Sequence, residues 1–294
     1  MRRRGFTMVE LLVVLSIVGV LAALLIPAIR ASRATSHRVG CRDNQRNLTL
    51  AVANFTIRKG AFPFSTTTGP GRALNHSWAM QIMQDLDCNP YSSAYNFDVE
   101  NYDPANRDVV GLTIRIFACP ANWTSQIHLP SEEVRRADGT FYPAGSVFGR
   151  GHYGANWGGG RLPGFGDDFA RVNGNRRGLM LPGPSAASPG TSGAVRPGDV
   201  TDGLAVTILL GEKRDGQGWA VGGYAGSEFD VGLSPQSPDR PGVRMVVSGS
   251  YHPGVVNFAF ADGSVRAIRD AIDRKVWYAL TTRDGGEGIE ADAW

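Results

Sequence analysis

Hydrophobic residues follow three different patterns along this chain. From Phe6 to Ile29 nearly every position is apolar, and Glu10 is the one ionisable residue in the run. As a helix this run spans about 36 Å at 1.5 Å per residue, enough to cross a hydrocarbon core of about 30 Å. The pattern then becomes periodic. Val39, Leu48, Val52 and Phe55 recur at near-helical spacing, with Arg38, Arg42, Asp43 and Arg46 between them. Gly60 and Pro63 supply stop signals. One helix is expected from Phe6 to Lys59, its first half in an apolar medium and its second half against a domain. Pro27 should kink or locally melt it.

The third pattern, from Ala61 onward, is one of short elements. Ser77–Leu86 reads as a helix carrying Trp78, Ile82 and Leu86. Leu112–Phe117 alternates and reads as a strand closed by Cys119-Pro120, and Ala205–Leu210 suits a buried strand. Val255–Ala261, Asp262-Gly263 and Ser264–Ile268 form a hairpin signal, because Asp-Gly supplies the positive φ angles of a two-residue turn. That turn would pair Phe260 with Val265 and Phe258 with Ala267, putting both phenylalanines and Val265 on the core side. A helix from Asp270 to Thr282 follows, ended by Gly285-Gly286. The expected fold is α+β: a long N-terminal transmembrane and stalk helix packed on an antiparallel, loop-rich C-terminal domain.

Composition agrees with that division. The chain has 294 residues with 38 glycines and 17 prolines, a loop-rich content beyond the helix. Net charge is +3 and unblocked, so no nucleic-acid stripe is present. Cys41, Cys88 and Cys119 allow one bridge and a leftover thiol, and no C-x-x-C pair points to zinc.

The head of the chain is Arg2-Arg3-Arg4-Gly5-Phe6-Thr7-Met8-Val9-Glu10. A carboxylate inside a membrane helix is costly and marks a functional position by default. This pattern resembles the class III signal of type IV pilins and type II secretion pseudopilins. The resemblance implies cleavage by a prepilin peptidase after Gly5, N-methylation of Phe6 and an assembly role for Glu10. It divides the chain into a leader (1–5), a transmembrane or fibre-core helix (6–29), a stalk (30–60) and a globular domain (61–294). Residues four apart share a helix face, so Glu10 can meet its own chain's Phe6 amine or a neighbour's. Five arginines between Arg30 and Arg46 outnumber the three at the head, and basic residues alone would favour the reverse topology. The resemblance implies a cytoplasmic N-terminus in the inner membrane and a periplasmic or filament-borne domain. Partners would be the peptidase, the inner-membrane assembly machinery, other pilin subunits and membrane lipid.

A second resemblance covers most of the chain. Cys41-Arg-Asp-Asn-Gln-Arg-Asn-Leu, Phe117-Ala-Cys119-Pro120, Asp199-Val-Thr-Asp202-Gly203 running to Gly211-Glu212, and His252 ahead of Asp262-Gly263 are similar to pilin-like proteins with the domain of unknown function 1559. It favours a Cys41–Cys119 bridge that leaves Cys88 reduced.

Other chemistry is thin. His252 and Asp262 are separated by a strand of about 23 Å, too far to share one ion, so His252-Pro253-Gly254 is read as a turn whose histidine matters little. Asp199, Asp202, Glu228, Asp230 and Asp262 are candidates for calcium, without EF-hand spacing. No metal site or cofactor is otherwise expected. No nucleophile elbow, zincin motif or phosphate loop is present, so no catalytic residue is assigned. Trp78, Trp123, Trp157 and Trp219 are read mainly as core. The expected role is a non-enzymatic filament subunit. The alternative is a surface binding protein, for glycan or a secreted partner, retained by the same helix.

Overall fold

The computed structural model describes residues 7–67, 74–86, 89–122, 126–128, 142–143, 145–158, 177–183, 193–214, 218–223, 226–229, 231–238 and 247–289. Gly5, Phe6, Cys88, Trp123 and Asp230 lie outside these.

Helix α1 runs from Met8 to Lys59, 52 residues, about 78 Å. Thr7 caps its start, and Gly60 ends it at φ +76° with its N–H on Thr56 O. Pro27 sits inside α1 without ending it. The two halves of α1 differ as the sequence suggested. Its first fully buried residue is Cys41, followed by Gln45, Leu48, Thr49, Ala51, Val52 and Thr56.

The second half of α1 lies on a five-stranded sheet. Its strands are β3 (Tyr153–Asn156), β4 (Ile208–Glu212), β5 (Glu228–Phe229), β6 (Val255–Phe260) and β7 (Val265–Arg269), in the order β5-β3-β4-β6-β7. All pairings are antiparallel except β3 with β5. A separate pair joins β1 (Gln126–His128) to β2 (Val147–Gly149). Strand alternation gives the sheet two buried faces. Leu210, Ala155 and Ala259 pack with Leu48, Ala51 and Val52 of α1. Ile208, Val256, Phe258, Phe260 and Ile268 pack with Trp277 and Leu280. Those last two belong to the C-terminal helix Arg274–Thr281, capped by Asp273.

Three local expectations need correction. The Asp-Gly hairpin has a three-residue loop, not two. Ala259 pairs with Val265 and Phe258 with Arg266. Gly263 N–H closes a turn on Phe260 O at 3.0 Å, and Gly263 alone takes positive φ, +89°. This is a type I turn followed by a glycine bulge. One extra loop residue moves the partner strand to the other face, so Val265 packs toward α1 and Ile268 joins the phenylalanines.

Leu112–Phe117 is not a strand. Arg115–Phe117 forms a 3-10 turn, with Phe117 N–H on Ile114 O at 3.0 Å. Ile114 and Phe117 are both buried. A 3-10 turn brings positions three apart to one side, whereas a strand would oppose them. Ser77–Leu86 is also broken, into Trp78–Gln81 and a 3-10 turn Met83–Asp85.

Candidate functional site

Two constellations stand out, one at the start of α1 and one where α1 enters the domain. At the helix start Thr7 and Glu10 form a capping box. Glu10 Oε2 accepts from Thr7 N–H at 2.9 Å and from Thr7 Oγ1 at 2.7 Å, while Glu10 N–H donates to Thr7 Oγ1 at 3.2 Å. The carboxylate thus does a local job within one chain. Every large apolar side chain from Leu11 to Ile29 is about half exposed or more, with Leu24 at 70%. This is one helix long and apolar enough to cross a membrane. An apolar cylinder of that size, uncovered by any described residue, calls for lipid or another chain around it.

The second constellation is buried where α1 enters the domain. Cys41 comes from α1, Cys119 from just after the Arg115–Phe117 turn, Glu212 from the end of β4, and His252 from the turn before β6. Their sulfur, oxygen and nitrogen atoms all lie within 4.8 Å of one another. The two cysteines have bridge geometry, with Cα atoms 5.4 Å apart and a sequence separation of 78. His252 Nε2 stands 3.5 Å from Glu212 Oε1 and 3.8 Å from Cys119 Sγ. Glu212 and His252 are 2% and 4% exposed.

Strand alternation explains why these groups meet. Glu212 and Asn257 sit at positions that face α1 along with Leu210 and Ala259. Glu212 Oε2 accepts from Asn257 N–H at 2.8 Å, and its Oε1 accepts from Asn257 Nδ2 at 3.0 Å. Ser250 Oγ accepts from His252 N–H at 2.8 Å and donates to Val255 O at 2.7 Å, which fixes the turn. His152 Nδ1 accepts from Cys119 N–H at 2.9 Å. Burial, with the nearby Arg150 charge, pushes the His152 imidazole down to about 3. It is therefore neutral near pH 7, as an accepting Nδ1 requires.

His252 and Asp262 are kept apart. Asp262 lies at the hairpin tip, where it accepts from Ser264 N–H at 2.9 Å and faces Arg266. The reading of His252 as an incidental turn residue is corrected: its ring is buried against a carboxylate and a sulfur. The sequence carried one signal for this: Cys41, Cys119, Glu212 and His252 all fall in the segments of the DUF1559 resemblance, though nothing there places them side by side.

The calcium candidates among the described residues are engaged by turns, hydroxyls or, at Asp262, the hairpin tip; Asp230 lies outside those residues. Asp202 accepts from Gly285 and Gly286 N–H, Asp199 from Arg196 N–H, and Glu228 from Ser65 and Thr66. Trp78, Trp157 and Trp219 are buried.

An exposed apolar helix half behind a prepilin-type head, joined through its buried half to an α+β domain, defines a pilin-like protein whose first helix fits a membrane anchor. Comparison with known families agrees. The prokaryotic N-terminal methylation motif matches residues 1–26. The model for proteins of unknown function DUF1559 matches residues 30–232 and 222–275. The chain belongs to the DUF1559 family. No curated protein and no solved structure matches it.

Proposed function

We propose that this chain is a prepilin, cleaved after Gly5 by a prepilin peptidase, N-methylated at Phe6 and assembled into a pilus-like or pseudopilus filament. It acts as a structural subunit and not as an enzyme. Before assembly the helix spans the inner membrane once, N-terminus in the cytoplasm, with the domain on the far side. The observation that carries this reading is the unburied apolar half of α1 behind a methylation-motif head. In lipid that surface is covered by acyl chains. In a filament it is covered by the same surface of other subunits.

Glu10 supplies the register. Its carboxylate satisfies Thr7 within the chain and can exchange that partner for the free Phe6 amine of an adjoining subunit. A buried charge pair offsets the cost of burying each charge alone. The inner-membrane assembly machinery would draw each subunit from the bilayer into this arrangement.

The test is to map the N-terminus of the mature protein by mass spectrometry and to image surface filaments in parent and deletion strains. A start at N-methylated Phe6 and filaments that vanish on deletion are expected. A start at Met1 or near Ala31, or filaments unchanged by deletion, would overturn the reading.

A further inference from the structure

The buried quartet is more than a disulfide requires. A bridge needs two sulfurs at the right separation, and nothing about it calls for a carboxylate and an imidazole. Burying Glu212 costs several kcal/mol before pairing is counted. Yet this carboxylate and the His252 ring are both held in place, facing the cysteine sulfurs, by Asn257 and by the Ser250 turn.

The distances match a metal polyhedron. Zinc bonds of about 2.3 Å to sulfur and about 2.0–2.2 Å to nitrogen or oxygen give tetrahedral edges of about 3.4–3.8 Å. The His252–Glu212 edge is 3.5 Å and the His252–Cys119 edge is 3.8 Å. The cysteine Cα atoms, 5.4 Å apart, let two unbridged sulfurs reach the sulfur–sulfur edge by side-chain rotation, and all four ligand atoms already lie within 4.8 Å of one another. Outer partners of the kind that orient metal ligands are present as well. Asn257 holds Glu212, Gln45 Nε2 donates to Asn257 O at 2.8 Å, and His152 receives the Cys119 N–H.

We propose that the dithiol form of this chain binds one zinc-type divalent cation through Cys41, Cys119, Glu212 and His252. Metal binding and bridge formation exclude each other, because both use the same sulfur electrons. Binding releases the two thiol protons and leaves the oxidation state of every atom unchanged. The site belongs to the chain before oxidation and would hold α1 in register on the sheet until a disulfide-bearing oxidant takes two electrons from the thiolates, is itself reduced to a dithiol, and leaves the Cys41–Cys119 bond with the ion released. None of this rests on the filament reading.

The experiment uses the full chain in detergent with Cys88→Ser, so that only the two site thiols remain. One sample is kept oxidised. The other is reduced with a water-soluble phosphine, which leaves as phosphine oxide and delivers two thiols. Both are titrated with Co²⁺ without oxygen. The reduced chain should take up one cobalt, with a thiolate-to-metal charge-transfer band and tetrahedral ligand-field absorption, both abolished by added Zn²⁺. The oxidised chain should show neither. His252→Asn and Glu212→Gln, reduced, should lose most of the absorption, with circular dichroism reporting whether they fold. No band in the reduced parent, equal cobalt binding when oxidised, or folded variants that bind as the parent does would overturn the site. If the variants do not fold, the reduced and oxidised parent samples decide the matter by themselves.

Discussion

Gln45 Nε2, on the stalk helix, donates to the main-chain carbonyl of Asn257, on the interior strand β6, at 2.8 Å. Gln45 is wholly buried. The contact ties α1 to the same strand residue that positions Glu212. Gln45→Leu should lower domain stability by about 1 kcal/mol, the usual net worth of one such bond. Gln45→Glu should cost more, since it adds a buried charge. Thermal unfolding of the three chains checks the order, and a Glu variant as stable as the parent would refute it.

Glu10→Ala should still insert in membranes, because it removes a charge from lipid. It also removes the Glu10 carboxylate half of the capping box, while the Thr7 Oγ1 bond to the residue-10 N–H remains and keeps the helix start capped. The expected phenotype is a normal amount of membrane-bound protein with few or no filaments. Fractionation followed by electron microscopy reads both. Filaments of parental number and length would dispose of the register role.

Cys41 and Cys119 should be joined in the exported protein, with Cys88 reduced. Closing a loop of this length contributes about 2–5 kcal/mol, so Cys41→Ser should lower the unfolding temperature clearly and Cys88→Ser little. Peptide mapping without reductant tests the pairing. Finding Cys88 in a bridge to either partner would contradict it.

Gly263 and Gly211 should both resist substitution, for different reasons. A Cβ on Gly263 meets nothing within 4 Å, yet φ is +89°. Gly263→Val should cost about 1–3 kcal/mol through backbone strain, and Gly263→Asn much less, since asparagine tolerates this region. A Cβ on Gly211 would lie 2.6 Å from the Phe258 ring and 3.0 Å from Phe229. Gly211→Ala should therefore cost about 1–3 kcal/mol through overpacking. Chemical denaturation separates the cases, because the Asn rescue should work only at Gly263.

Acid should loosen the region around His76. Burial, partly opposed by its hydrogen bond to Phe97 O, holds this imidazole below its ordinary value of 6.5. Its Nδ1 meets Tyr95 Oη at 2.6 Å, and its Nε2 meets Phe97 O at 3.1 Å. One ring nitrogen accepts from Tyr95 while the other donates, an arrangement that only the neutral ring can make. Above 6.5 both folded and unfolded chains keep it neutral, and its contribution is complete. As pH falls below 6.5 the unfolded chain takes up the proton first, so stability declines. His76→Gln should flatten the stability curve in that range. An equally steep fall in both chains would show that other groups control it.

Long, strongly patterned segments were legible in the sequence and short ones were not. The apolar run through Ile29 and the periodic stretch after it led directly to α1, because 52 residues of pattern outweigh one proline. The hairpin strands were equally clear from Val255 to Ile268, but their register depended on whether Asp-Gly made the whole turn or only its end. That choice lies in two residues, and it decided the face of Val265. Leu112–Phe117 was misread because an alternating run of six cannot be told from a 3-10 turn without knowing that Ile114 and Phe117 share a side. The grouping of the quartet was hidden for another reason, although each member lies in a segment that carries the family resemblance. Cys41, Cys119, Glu212 and His252 are far apart in sequence, and only the sheet's pleat and the placement of α1 bring them together.

The buried part of α1 begins at Cys41, so with the bridge closed the covalent link stands at the point where the helix leaves the domain. A pull on the apolar half reaches that bond before it reaches the hydrogen bonds and side-chain packing farther along. The stalk would then act as a tow-line spliced to its load at the first point of contact. Tension would not peel the helix from the sheet turn by turn, since the first turn is the one that cannot let go.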